Sequence, residues 1–136
     1  MKKTLALAIS VVAAIIFSSC APKMMFGVST ITPGAEGSAK VTTNKNGNYV
    51  LSVNVLNLTE PQRLTPPKSV YVVWFETDVS DARNIGMIKV STGLFSKAFK
   101  GSFKTICVTK PTKVFITAED SGNVQYPGPQ VVLKTE

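Results

Sequence analysis

Short apolar or alternating runs, each ended by turn-forming residues, recur along the chain at a spacing of about 12 residues. No amphipathic stretch of helical length separates these runs. The pattern predicts an all-β fold, a single seven-stranded antiparallel β-sandwich with an immunoglobulin-like or fibronectin-like outline. A small closed β-barrel is the alternative. The predicted strands are 38–43, 49–57, 69–77, 84–91, 99–109, 112–118 and 130–134.

Two of these runs predict where the core lies. Along 49–57, apolar residues alternate with Ser52 and Asn54, which indicates a strand with one buried face. The run 69–77 is apolar on both faces, as is typical of a central strand. Its Trp74 is the one tryptophan of the chain, and we expect it to be a core residue rather than a ligand-stacking one.

The connections between the runs carry turn-forming residues. Asn46-Gly47 separates the first two predicted strands and predicts a tight β-hairpin. Residues 58–68 contain three prolines, so they cannot form a central strand and are expected to cross between the sheets. Residues 78–83 predict a turn, and 119–129, rich in Gly, Pro and Asn, predict a loop.

The N-terminal segment has the pattern of an export signal. Lys2 and Lys3 precede an apolar run of 13 residues, 5–17, interrupted only by Ser10. Such a run is too short to span a bilayer comfortably. Small residues and then Cys20 follow it.

The residues Phe17-Ser18-Ser19-Cys20 resemble a bacterial lipoprotein lipobox, with phenylalanine where leucine is usual. The resemblance implies that residues 1–19 are removed as a signal peptide. Cys20 then begins the mature chain and carries lipid, palmitate among the acyl groups, on its sulfur and amino group. Ordinary secretory cleavage near Ser19 or Ala21 is the alternative.

The residues after Cys20 bear on location. Ala21, Pro22 and Lys23 follow it, and no aspartate is among them. Resemblance to the sorting rule of bacteria with two membranes implies attachment to the outer membrane. No acidic export cluster follows, which favours the periplasmic face. Residues 20–37, punctuated by Pro and Gly, are predicted to be the lipidated cysteine and a flexible tether, and 38–136 the sandwich domain.

Without residues 1–19 the chain has 117 residues, enough for one domain with its own core. Since Lys2 and Lys3 leave, 13 basic and 8 acidic side chains remain, for a net charge of +5. Cys107 is then the one thiol besides Cys20, so no disulfide forms within the domain. Its apolar segment predicts that it is buried.

The residue types argue against several kinds of chemistry. The chain has no histidine, which removes Ser-His and Cys-His nucleophile systems and most zinc sites. No phosphate-cradling glycine loop occurs between a strand and a helix. We therefore expect no enzyme activity, cofactor, metal or catalytic residue.

Two acidic clusters provide the enzymatic alternative, a carboxylate-based carbohydrate-active hydrolase. That reaction needs Glu76 and Glu119 within about 10 Å of each other. If strands 69–77 and 112–118 pair in antiparallel fashion, the two clusters lie at opposite ends and do not converge. Weak calcium binding by the first cluster is a lesser alternative to solvated turn residues. The clusters are Glu76, Asp78 and Asp81, and Glu119 and Asp120.

A run of lysines without an acidic residue between them forms a candidate patch for contact with anions. Phospholipid headgroups, lipopolysaccharide phosphates or acidic glycan are the ligands expected in this compartment, and nucleic acid is not. The alternative is that the lysines keep an exposed strand soluble and block edge pairing. The patch comprises Lys97, Lys100, Lys104, Lys110 and Lys113.

Most of the chain from Pro33 onward resembles a group of small exported bacterial proteins without an established role, which implies a sandwich fold in the cell envelope. We predict a lipid-anchored, non-enzymatic envelope protein whose domain binds or spaces another component, an envelope protein or a glycan. A structural subunit that assembles by strand pairing is a further alternative. The resemblance is carried by Ala35-Glu36-Gly37, Asn46-Gly47-Asn48, Tyr71-Val72-Val73-Trp74, Asn84-Ile85-Gly86, Thr117-Ala118-Glu119 and Tyr126-Pro127-Gly128-Pro129.

Overall fold

The computed structural model describes residues 21–136, so the predicted signal peptide and Cys20 lie outside the described residues. The described chain is all-β, with nine strands and one 3₁₀ helix at Pro61–Arg63, which confirms the predicted fold class. Six of the seven predicted strands are present within two residues at each end. The seventh, 84–91, is divided between two strands, Ser80–Ile88 in one sheet and Val90–Thr92 in the other. The three-residue strand Lys23–Met25 is additional. The strands are β1 (Lys23–Met25), β2 (Glu36–Thr43), β3 (Tyr49–Leu56), β4 (Val70–Thr77), β5 (Ser80–Ile88), β6 (Val90–Thr92), β7 (Phe99–Cys107), β8 (Lys113–Glu119) and β9 (Val131–Lys134).

The strands form two antiparallel sheets. The five-stranded sheet has the order β1-β2-β3-β7-β6, and the four-stranded sheet has the order β5-β4-β8-β9. Both sheets are open, so the alternative of a small closed barrel is wrong. The arrangement is consistent with a β-sandwich, in which two sheets bury their facing sides against each other.

Two tight turns set the register of neighbouring strands. In the hairpin between β2 and β3, Asn44 Oδ1 accepts hydrogen bonds from the N–H groups of Asn46 (2.9 Å) and Asn48 (3.0 Å), and Gly47 takes a φ of 80° that suits glycine. This confirms the hairpin predicted from Asn-Gly. The turn between β4 and β5 is shorter than the predicted 78–83, because Thr77 already pairs with Ser80.

The segment predicted to be a flexible tether is part of the domain from Lys23 onward. Lys23 to Met25 pair with β2, Phe26 forms a bridge with Thr135, and Gly27 N donates to Lys134 O (2.9 Å). The chain thus passes from one sheet to the other along one edge of the sandwich. Burial of Phe26 and packing of Met24 against the core explain the difference, because their apolar area outweighs the local Pro and Gly content.

The main core lies between the sheets and follows the period of two along each strand. Leu51, Val53 and Val55 of β3 face Tyr71 and the alternate residues after it in β4, and all of these are buried. Each large apolar side chain buried in this way contributes about 1.5–3 kcal/mol. Residues 21–136 contain both sheets and the core that the structure describes between them, and a chain of this length buries enough surface to fold by itself.

A second buried cluster lies on the outer face of the four-stranded sheet. Trp74 is fully buried there and stacks on Phe115, with ring centroids 6.2 Å apart and an interplanar angle of 9°. Residues 120–130 cover the cluster, and Asn84 Nδ2 holds them by donating to the carbonyls of Gly122 (2.9 Å) and Val124 (2.8 Å). The prediction that Trp74 is a core residue is confirmed, although its cluster is outside the main core.

Candidate anion-binding face

The outer face of the five-stranded sheet is not covered by any other part of the described chain. In β2, β3 and β7, alternate residues point into the core, so the residues between them point outward. The strand register pairs Lys23 with Lys40, Lys40 with Ser52, and Ser52 with Lys104. Three lysines and one serine therefore form a single row across four strands.

The geometry of a β-sheet gives the scale of this row. Neighbouring strands lie about 4.8 Å apart, so the backbones of Lys40 and Lys104 are about 10 Å apart. Lys100 is four residues from Lys104 on the same strand and the same face, a separation of about 13 Å. Lys23, Lys100 and Lys104 are exposed and Lys40 is half-buried. We call these four lysines and the short side chains between them the basic face.

Short polar side chains lie beside the lysine row. Ser38 pairs with Asn54, and Asn54 pairs with Ser102, so a hydroxyl, an amide and a second hydroxyl form an adjacent row. These residues, together with Lys100, line a shallow hollow of about 570 Å³. Glu36 is the one acidic residue in its lining. Hydroxyl, amide and ammonium groups in one open hollow can all donate hydrogen bonds to phosphate or carboxylate oxygens.

The lysines of the basic face form no ion pair among the residues that the structure describes. The ion pairs lie elsewhere and are Glu60–Arg63 (3.1 Å), Lys68–Asp120 (2.9 Å) and Glu76–Lys113 (3.1 Å). Glu36 shares this face through the row Glu36, Leu56 and Lys100, so the four lysines leave it a net charge of 4 − 1 = +3 that is available to an external anion.

The structure divides the predicted lysine patch. Lys100 and Lys104 share the basic face, whereas Lys97 lies in the 93–98 connection between β6 and β7. Lys110 lies in the 108–112 connection, and Lys113 is on the other sheet, paired with Glu76.

Sequence reasoning missed the two other lysines of the face, Lys23 and Lys40. Lys40 follows the apolar Ala39 in β2, so alternation along the strand indicates that Lys40 is on the outward face. That alternation was the signal that could have identified it. Lys23 had no such signal, because it lies in the segment predicted to be a tether.

The two acidic clusters do not form one site. Along the β4–β8 ladder Glu76 pairs with Lys113 and Val70 pairs with Glu119, so the two glutamates lie at opposite ends, about 20 Å apart. This is the predicted arrangement, and the distance is too long for a pair of glycosidase carboxylates. The first cluster surrounds a polar hollow of about 400 Å³ at the β4–β5 turn. Within residues 21–136 no three His, Cys, Asp or Glu side chains are close enough to hold a metal ion.

Glu119 is instead part of a buried hydrogen-bond chain. Trp74 Nε1 donates to Thr117 Oγ1 (2.8 Å), and Thr117 Oγ1 donates to Glu119 Oε1 (2.6 Å). The N–H of Gly128 donates to the same carboxylate oxygen (2.7 Å). The carboxylate therefore connects β8 to the loop that covers Trp74.

Cys107 is buried, as predicted, and its burial raises the pKa of the thiol.

One edge of β7 is open from Ser102 to Cys107 in the described chain, because β6 pairs only with residues 99–101 of that strand. Assembly by strand pairing requires an open edge of this kind, and the charged Lys104 opposes it.

Comparisons with protein-family models, with curated proteins and with solved structures gave no significant match. Among residues 21–136 no helix is long and apolar enough to cross a bilayer.

Proposed function

We propose that the protein is a lipid-anchored, non-enzymatic envelope protein that binds an anionic envelope component through its basic face. The observation that supports this most is the convergence of Lys23, Lys40, Lys100 and Lys104 on one uncovered sheet face without internal ion pairs. Four like charges on one face repel one another, and an external anion relieves that repulsion.

The position of the proposed anchor supports the same function. Lys23 is three residues after Cys20, and three extended residues span at most about 10 Å. If Cys20 carries lipid, the basic face lies beside the bilayer surface. The outer membrane of a bacterium presents phosphate-bearing lipids there, which are the ligands that clustered lysines attract.

Replacement of Cys20 by serine tests the anchor. We expect wild-type protein to stay in the outer-membrane fraction after a high-salt wash and Cys20→Ser to be released by it, because acyl chains hold the protein in salt whereas contacts of lysines with headgroups are screened. The measurement is cell fractionation followed by mass spectrometry of the mature N-terminus. Cys107→Ser is the matched control: it removes the buried cysteine and should leave the protein on the membrane. Retention of Cys20→Ser on the membrane after the high-salt wash would contradict the anchor.

Neutralisation of two central lysines tests the basic face. The double variant Lys40→Gln/Lys104→Gln in residues 21–136 should bind immobilised dextran sulfate about 30-fold more weakly, since each lysine near an anionic surface contributes about 1 kcal/mol. Lys110→Gln/Lys134→Gln removes the same charge from exposed positions outside the face and is the matched control. Equal weakening of both double variants would show that net charge, rather than this face, determines binding.

A further inference from the structure

The connection between β6 and β7 exposes two large apolar side chains. Leu94 and Phe95 form the centre of a turn closed by Ser96 N–H and Gly93 O (3.4 Å), and their exposed fractions are 97% and 103%. They contribute nothing to the core. Single exposed apolar residues are ordinary on protein surfaces, but an adjacent Leu-Phe pair at a turn tip is a concentrated apolar surface.

The turn continues the sheet that carries the basic face. Lys100 pairs with Ser91 of β6, and the turn extends beyond this pair at the same end of the sheet. Lys97 lies within the connection itself. No acidic residue occurs between Asp81 and Glu119, so the sequence around the turn carries only positive charge.

We propose that Leu94 and Phe95 insert into the surface of an anionic bilayer and form a second membrane contact beside the basic face. This inference depends on the proposed function and identifies the anionic component as the bilayer to which the protein is anchored. A bilayer surface offers both kinds of contact, because its phosphates attract the lysines and its acyl chains receive Leu94 and Phe95. A soluble acidic glycan offers only the first.

The position of the N-terminus fits the same orientation. Lys23, the first residue of β1, lies nearer than Met25 to the Thr43 end of β2 and farther from the turn, because Lys23 pairs with Lys40 and Met25 pairs with Ser38. Leu94 and Phe95 lie beyond the other end of the sheet. Attachment at both ends would hold the basic face flat against the bilayer, where all four of its lysines reach the headgroups.

Vesicle sedimentation of residues 21–136 tests the turn without the acyl chains. We expect the domain to sediment with vesicles of phosphatidylcholine and phosphatidylglycerol, and not with phosphatidylcholine alone. Leu94→Ser/Phe95→Ser should weaken the partition coefficient about tenfold or more, since both apolar side chains leave water when they insert. The matched control is Val79→Ser/Val108→Ser, which changes two apolar side chains that are also largely exposed but lie on other turns.

Tryptophan fluorescence tests insertion directly. Trp74 is fully buried and hydrogen-bonded, so its emission should not respond to vesicles. Phe95→Trp adds an indole at the turn tip, and its emission should shift to shorter wavelength when anionic vesicles are added. Sedimentation of Phe95→Trp without a spectral shift would overturn the inference.

The two experiments separate this inference from the proposed function. If Leu94→Ser/Phe95→Ser sediments like wild type while Lys40→Gln/Lys104→Gln does not, the turn does not insert and the basic face still binds. If wild type binds dextran sulfate but neither vesicle, the bilayer is not the partner and the basic face is still supported. Failure to bind either probe would overturn both.

Discussion

Replacement of Trp74 by alanine should lower the free energy of unfolding by about 3–5 kcal/mol. The indole is fully buried on the outer face of β4, where it stacks on Phe115 beneath residues 120–130. Its removal leaves a cavity between the sheet and this loop, and it also leaves Thr117 Oγ1 without the Nε1–H donor at 2.8 Å. Urea unfolding of residues 21–136, followed by far-ultraviolet circular dichroism, measures the loss.

Trp74→Phe is the matched control for this prediction. Phenylalanine keeps an aromatic ring against Phe115 but has no N–H donor, so it should cost about 1–2 kcal/mol. If alanine and phenylalanine destabilise the protein equally, the hydrogen bond rather than the packing determines stability here. A loss below about 1 kcal/mol for Trp74→Ala would contradict the buried position of the side chain.

Replacement of Glu119 by alanine should lower the free energy of unfolding by about 2–4 kcal/mol. Glu119 Oε1 accepts hydrogen bonds from Thr117 Oγ1 (2.6 Å) and from the N–H of Gly128 (2.7 Å). Alanine leaves both donors without this acceptor, and each unsatisfied buried donor costs about 1–3 kcal/mol. The cost should appear mainly as release of residues 120–130, since the Gly128 contact holds this loop to β8. Hydrogen exchange at Gly128 and urea unfolding measure the two effects.

Two variants make the Glu119 prediction specific. Glu119→Gln keeps an oxygen acceptor at the same position and should retain most of the stability. Asp120→Ala removes the neighbouring carboxylate, which is exposed and paired with Lys68, and should cost at most about 1 kcal/mol. If Glu119→Ala is as stable as wild type, the carboxylate is not a structural acceptor. A catalytic role for Glu119 would then need to be considered again.

Several features of this fold were predictable because they depend on residues close in the sequence. Alternation along 49–57 and the apolar run 69–77 predicted β3 and β4, since a strand's two faces are set by a period of two. Asn46-Gly47 predicted the hairpin, because glycine adopts the positive φ of a tight turn without steric strain, whatever lies around it. The separation of Glu76 from Glu119 followed from the antiparallel pairing of two such strands.

Other features depend on partners distant in the sequence. Residues 23–25 have no strand-like pattern of their own and become β1 only because β2 offers an open edge and the core accepts Met24. Lys40 and Lys104 enter one row only because β3 lies between their strands in one particular register. A shift of that register by one residue would turn one of the two lysines toward the core. The candidate site was therefore half predictable: Lys100 and Lys104 were identified, and Lys23 and Lys40 were not.

The sequence by itself determined the all-β class, the approximate positions of most strands and the burial of Trp74 and Cys107. These follow from composition and from short-range periodicity. Only the tertiary structure decided which lysines share a face, which carboxylate is buried as a structural acceptor, and which turn exposes its apolar residues. The physical reason is that strand register and loop packing are selected by the burial of the whole core, and no local segment carries that information.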